Sequence, residues 1–397
     1  MDCLFIGKVW PEPSSTAAGR RSLDILAALR LAAWEVHFAS AAQCGAHSVD
    51  LEALGVQTHA VAVNDSAFDN LIVSLAPDVV IFDRFMTEEQ FGWRVARCRP
   101  EALRVLDTSD LHCLRIARQE ALRDKAPLNL HNEIALREIA AIYRSDLTLM
   151  ISEFEMEVLR EEFAMAGDLL AYWPFAISTP EYSPAFDARE HFILIGSFQH
   201  SPNLDAARWC KQAIWPKIRE ALPEAQLHCY GSYGDRYAAE LDTPKDGFHF
   251  KGRAGDALET MARYRVNLAP LRYGAGLKGK VFDGFATGTP TIMTPTAAEG
   301  ICTDGAPSSE GGDAFAAAAI DLYRDPIAWE ARQCAERKLC QDRFNYEFWS
   351  PRLPRYLEQA MDEKEIRRQS NFIGQMLRHH HHRSTEFMSR WIEAKNK

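Results

Sequence analysis

The sequence has no uninterrupted apolar run near the ~18 residues of a membrane-crossing helix. Its opening, MDCLFIGKVW, lacks the basic start, apolar stretch and small-residue cleavage site of a secretory signal. These absences lead us to expect a cytoplasmic protein whose membrane contact, if any, is peripheral at the inner face. Paired cysteines are missing as well. Nine cysteines (Cys3, Cys44, Cys98, Cys113, Cys210, Cys229, Cys302, Cys334 and Cys340) are scattered, odd in number and without a Cys-x-x-Cys pair. That usage reads as reduced thiols, mostly small core residues, and argues against a disulfide framework or a zinc site. Excess positive charge is absent too: 45 Lys and Arg against 55 Asp and Glu leave a net charge of -10. Bulk electrostatics therefore give no support for general nucleic-acid binding.

What is present is ample core material. The chain has 397 residues, 47% of them hydrophobic, enough for two domains of ~100–200 residues plus extras. Short apolar runs alternate with helical patterns. CLFI (3–6), EVHFAS (35–40), DVVIF (78–82), LRVL (103–106) and LTLMI (147–151) read as strands, and 20–32 as a helix with Leu23, Leu26 and Ala27 on one face. This is the alternation of a doubly wound, mainly parallel α/β sheet. It pauses over 171–190, a proline- and aromatic-rich window taken as an interdomain hinge. It resumes with strands at 192–195, 226–230, 248–250 and 265–269 and helices from about 203 and over 256–263. We divide the chain into 1–175, 176–345 and a C-terminal segment 346–397. Polar or glycine residues follow many strands (Gly7, Asp83, Asp107, Ser152, Gly196, Gly231), where open parallel sheets bind ligands. Two such sheets across a hinge would face each other over a cleft.

The stretch YGAGLKGKVFDGFATGTP (273–290) carries the chemistry. Gly274, Gly279 and Lys280 have the spacing of a P-loop, but Val281 stands where its magnesium-binding Ser or Thr belongs. Glycines at 274, 276 and 279 let backbone approach a ligand, and a helix beginning near Leu277 would offer its N-terminus to phosphate. Lys278 and Lys280 add two charges. Asp283, three residues past Lys280, shares its helix face and is placed to accept hydrogen bonds from ribose hydroxyls.

VNLAPLRYGAGLKGKVFDGFATGTPTIMTPTAAEGI (266–301) resembles the donor-site segment of the retaining GT-B glycosyltransferases of the "glycosyl transferases group 1" type. ILIGSFQHSPNLDAARW (193–209), VWPEPSSTAAGRR (9–21) and LTLMISEFEMEVL (147–159) are similar, in the right order, to three further segments of that family. The resemblance spans roughly 1–350. It implies two Rossmann-like domains facing across a cleft and a nucleotide-diphosphate sugar as donor substrate, with neither metal nor cofactor. Gly276, Lys278 and Lys280 would lie at the diphosphate, Asp283 at the ribose, and Gly196, Glu299 and Gly19 around the donor. The family's first acid falls at Ala275, and its usual Arg and Lys after the first strand of the second domain are missing from GSFQHSPN, with Arg253 a weak substitute. DTSDLHCLR (107–115) is similar to the segment that carries a His near the transferred sugar, which makes His112, with Asp110 beside it, the catalytic candidates. Arg84 and Glu89, in DRFMTEEQFG, are the acceptor-side candidates. No Asp-x-Asp metal dyad is present, since DTSD has the wrong spacing; lysine would take the cation's place.

The implied activity is transfer of the sugar to an unknown glycan, lipid-linked or other macromolecular acceptor with retention of configuration. Two readings stay open beside it: a nucleotide-sugar epimerase of the same architecture, and a non-catalytic nucleotide-sugar binder. The last stretch, 366–397, has seven basic and two acidic residues, with Phe372, Ile373, Met376, Leu377, Phe387, Met388, Trp391 and Ile392 at helical spacing. It reads as one or two amphipathic helices that dock on the body, touch an anionic membrane or hold a polyanionic acceptor. Its four histidines are internal and read as native.

Overall fold

A computed structural model describes residues 1–178, 183–301 and 311–396. Cys302, residues 179–182 of the expected hinge, and Lys397 lie outside the described residues. Seven strands form the first sheet: β1 (Asp2–Gly7), β2 (Glu35–Ser40), β3 (Gln57–Ala60), β4 (Val79–Asp83), β5 (Leu103–Asp107), β6 (Leu147–Met150) and β7 (Leu170–Tyr172). Five form the second: β8 (Glu190–Ile195), β9 (Leu227–Tyr230), β10 (Phe248–Gly252), β11 (Tyr264–Ala269) and β12 (Thr291–Met293). The strand orders are 3-2-1-4-5-6-7 and 10-9-8-11-12, and every pairing is parallel.

Parallel strands covered on both faces read as continuous apolar runs. Cys3–Ile6 of β1 and Val79–Phe82 of β4 are indeed fully buried. The strands that sequence patterning missed are β3, a polar QTHA edge, and β7 and β12, three residues each. Helix Ala17–Leu31 begins earlier than its periodicity suggests, because Thr16 caps it by accepting from Gly19 N at 3.0 Å.

The chain crosses between domains twice. Ile177 forms a bridge with Asn345, and Trp173 Nε1 donates to Trp349 O at 3.0 Å. Helix Arg352–Asp362 then returns to the first domain, adding Leu353, Leu357 and Ala360 to the core under the first sheet. The segment from 346 is therefore packed as part of the first domain.

The tail follows as helices Lys364–Ser370, Phe372–Leu377 and Arg383–Asn396, the last two joined by a π-helical turn Arg378–His382. It docks through specific polar contacts. Arg368 grips buried Asp146 at 2.8 and 2.9 Å, Asn371 Nδ2 donates to Tyr143 O at 2.8 Å, and Arg97 bonds Glu386 at 3.1 Å. His382 Nε2 sits 3.9 Å from Glu88 Oε1, beside the buried Glu88–Arg144 pair. Among the described residues no helix is long and apolar enough to cross a membrane.

Candidate functional site

A cleft of about 520 Å³ opens between the carboxyl ends of the two sheets and is lined by residues of both domains. Its second-domain wall is the glycine-rich loop. Backbone turns after β11, and the helix starts at Gly279, with Lys278 as N-cap, two residues later than the sequence suggests. Val281 is fully buried in the core with Phe175, Leu277 and Phe282. The position that would seat magnesium in a P-loop therefore points away from the cleft, and a hydroxyl there would reach no ligand.

Lys280 donates to Asn203 Oδ1 at 2.7 Å, and Asn203 Nδ2 is tied to Ser197 O at 2.9 Å. A Cβ on Gly196 would stand 2.7 Å from Asn203 Nδ2, so this glycine makes room for the amide that aims the lysine. Burial pushes the Lys280 pKa down to about 8 against the opposing Asp283 carboxylate. Lys278 donates to Gly276 O at 2.6 Å and is likewise pushed down by burial, with Glu299 and Glu155 opposing. Asp283 is bridged by Arg20 of the first domain at 2.8 Å; burial raises its pKa to about 6, with Arg20 and Lys280 opposing.

The first-domain wall carries His112 and Asp110. His112 heads the helix His112–Asp124, and its Nε2 lies 3.2 Å from Asp110 Oδ1. Its ring meets Phe85 edge-on at 5.5 Å. Asp110 also pairs with Arg115. Burial opposes ionisation of Asp110, but Arg115 and His112 outweigh it and hold the carboxyl well below the usual range. Asp110 is thus a fixed anion, and His112 is oriented toward it. Arg84 also lines the cleft, as does Arg253, whose Nη2 donates to Ser14 Oγ at 2.8 Å.

Three expected site residues sit elsewhere. Gly19 does not line the cleft; its missing Cβ leaves room for the Glu12 backbone, 2.6 Å from where that atom would be. Glu89 points away from the cleft and is held by Arg137. Glu299 is clamped by both guanidinium nitrogens of Arg118 at 2.7 Å, and Arg118 also donates to Gly274 O at 2.8 Å. It is a strut between domains, not a free wall residue.

Sequence reasoning missed Glu155. This fully buried carboxylate accepts from Leu111 N at 2.9 Å and from Gly276 N at 2.7 Å, tying the start of the His112 helix to the glycine loop. Burial and the nearby Asp110 charge raise its pKa. The available signal was its place in the ISEFE segment, one turn past a strand end. Gly276 itself has φ +65, and a Cβ there would lie 2.8 Å from Asp110 Cβ. The glycine admits the opposite domain as well as a ligand. His200 was also missed; it lines the cleft, and burial, helped by Arg115, pushes its pKa down to about 4.

Two doubly wound sheets facing over a cationic cleft, with a His on one wall and a lysine–glycine loop on the other, form a GT-B-like architecture. Residues 189–325 match the family described as "Glycosyl transferases group 1". Among curated proteins nothing matches the chain. Solved structures share the fold across nearly the whole length. Sucrose-phosphate synthase from Thermosynechococcus elongatus is 14% identical, with a TM-score of 0.67 over 90% of this chain and 98% of that one. Anabaena HepE, in complex with UDP and glucose, is 13% identical, with a TM-score of 0.67 over 90% and 100%. WaaG, a glycosyltransferase involved in lipopolysaccharide biosynthesis, is 13% identical, with a TM-score of 0.60 over 91% and 99%. At these identities the likeness is one of fold.

Proposed function

We propose that the protein takes its sugar from a UDP-sugar and passes it, with retention of configuration, to a hydroxyl of a cytoplasmic-side acceptor. The observation that carries this reading is the convergence of Lys280, Lys278 and the first turn of helix Gly279–Thr287 on one wall of the cleft, with Asp283 one turn further. Uridine is favoured over other bases by the UDP complex of HepE.

In the proposed reaction the bond from the anomeric carbon to the diphosphate breaks, and negative charge builds on the departing oxygen. Lys280, Lys278 and the aimed amides stabilise that charge best where water is excluded. Asp283 exchanges Arg20 for the ribose hydroxyls. His112, fixed by Asp110 and Phe85, orients the sugar, so that the acceptor oxygen bonds the anomeric carbon from the face the diphosphate leaves and its proton passes to the departing phosphate oxygen. Glu155 holds the loop and the His112 helix in register. Its contact with the loop is at Gly276, the residue after Ala275, where the family carries an acid.

Peripheral contact with an anionic membrane belongs to the same reading. Phe372, Phe387, Met388 and Trp391 of the docked tail are all more than 60% exposed, and liposome flotation of the full chain against a chain ending at 365 tests it. The donor assignment is tested by a thermal-shift screen of UDP-, GDP-, ADP- and TDP-sugars, followed by assay of nucleotide release. Stabilisation by UDP-sugars with release of UDP is expected. Conversion to a second UDP-sugar without release would make the protein an epimerase, and binding without turnover would make it a binder.

A further inference from the structure

We propose that the acceptor carries a phosphate group, bound by Lys8, Arg84 and Arg115 on the first-domain wall of the cleft. The inference rests on the reading that the opposite wall holds the donor diphosphate.

The three cations come from neighbouring strand ends. Lys8 directly follows β1, Arg84 directly follows β4, and Arg115 lies on the helix after β5; these strands are adjacent in the sheet. Adjacent strands are about 4.8 Å apart, so the three side chains start within reach of one anion. All three line the cleft.

Charge in the cleft is out of balance. Eight Lys and Arg side chains line it against two carboxylates, Asp110 and Asp283, in a chain whose net charge is -10. A nucleoside diphosphate sugar brings one negative charge per phosphate, which Lys278 and Lys280 match. Arg20 is engaged by Asp283 and Arg21 by Asp107. Four remain: Arg253, which is tied to Ser14 at 2.8 Å, and Lys8, Arg84 and Arg115 together on the first-domain wall. Arg115 shares Asp110 with His112. Arg84 leans on Asp83 at 3.1 Å, and the other oxygen of that carboxylate accepts the Lys8 amide at 3.1 Å. The Lys8 ammonium has no hydrogen-bond or ion-pair partner among the described residues, although it feels the positive charges of Arg84 and Arg115 and the opposing charges of Asp83 and Asp110. Three cations share two carboxylates, Asp83 and Asp110, so the group keeps a net positive charge that an anion would offset, and Arg forks suit phosphate.

The backbone supplies an independent observation. Arg84 has φ 70 and ψ 159, a region occupied almost only by glycine. The conformation is held by Arg84 N donating to Asp107 O at 2.7 Å. A strained arginine maintained at a strand end facing the cleft points to a task that requires its position.

The test is titration calorimetry of inorganic phosphate into the full-length protein saturated with UDP, beside the Lys8→Ala and Lys8→Glu variants. Lys8 is exposed and its amide contact survives substitution, so these variants fold. We expect phosphate to bind the UDP-saturated protein at one site. Both variants should weaken phosphate at least tenfold and leave UDP affinity within twofold. Arms with glycerol 3-phosphate and with phosphatidic acid vesicles distinguish a soluble from a lipid-borne phosphate. Phosphate that binds only in UDP's absence, variants that keep phosphate, or variants that weaken UDP in proportion would each overturn the proposal. Failure of UDP itself to bind would instead strike the donor reading.

Discussion

Lys280→Ala removes the cation aimed by Asn203 into the cleft. The ammonium is buried and makes one 2.7 Å hydrogen bond, to Asn203. A charge-assisted bond to a diphosphate oxygen is worth about 1.5–3 kcal/mol, so UDP should bind roughly 10- to 150-fold more weakly. The loss in turnover should be larger, because charge on the leaving oxygen grows during reaction. Removing one such donor costs about 2.7–4 kcal/mol, on the order of 10²–10³ in rate. The pH dependence has a definite sign. With its pKa lowered to about 8, Lys280 in the free protein loses its proton above that pH, whereas a bound diphosphate retains it. Binding must then take up a proton, and UDP affinity falls as pH rises beyond 8. Calorimetry of wild type and variant across pH 7–9 measures both effects. A variant with unchanged UDP affinity and the same pH dependence would refute the assignment of this loop.

Two further outcomes follow from buried carboxylates. Glu155→Ala leaves the Leu111 and Gly276 amides without their acceptor, at about 1–3 kcal/mol each. We expect a lower melting temperature together with a reduced kcat at saturating donor, whereas an unchanged Tm would remove Glu155 from the domain interface. Asp146 is held down to about 2 by Arg104 and Arg368 against the opposing effect of burial. Its stabilising contribution, about 2 kcal/mol, is therefore present above pH 4 and lost as pH falls toward 2. Arg368→Ala should raise the midpoint of acid unfolding, and an unmoved midpoint would mean that the tail does not support the first domain.

The long apolar strands and the glycine–lysine loop were legible in the sequence because parallel strands are covered on both faces and phosphate sites need glycine and cations together. Lys280 and Asp283 stand on the cleft as their spacing suggests. Glu299, Glu89 and Gly19 did not follow, because their tasks depend on partners far along the chain: Arg118, Arg137 and the Glu12 backbone. Glu155 was hidden for the same reason, since its acceptor role appears only when Leu111 and Gly276 meet across the domains. The tail's helical period was visible, but its docking rests on single polar contacts, such as Arg368 to Asp146, that no periodicity announces.

The central claim, retaining transfer from a UDP-sugar, is tested most directly by following donor hydrolysis in the acceptor-free protein by proton NMR. With UDP-glucose, first in the series because HepE was solved with UDP and glucose, UDP should appear together with α-glucose before mutarotation mixes the anomers. β-Glucose as the first product, or a new UDP-sugar without free UDP, would contradict the account.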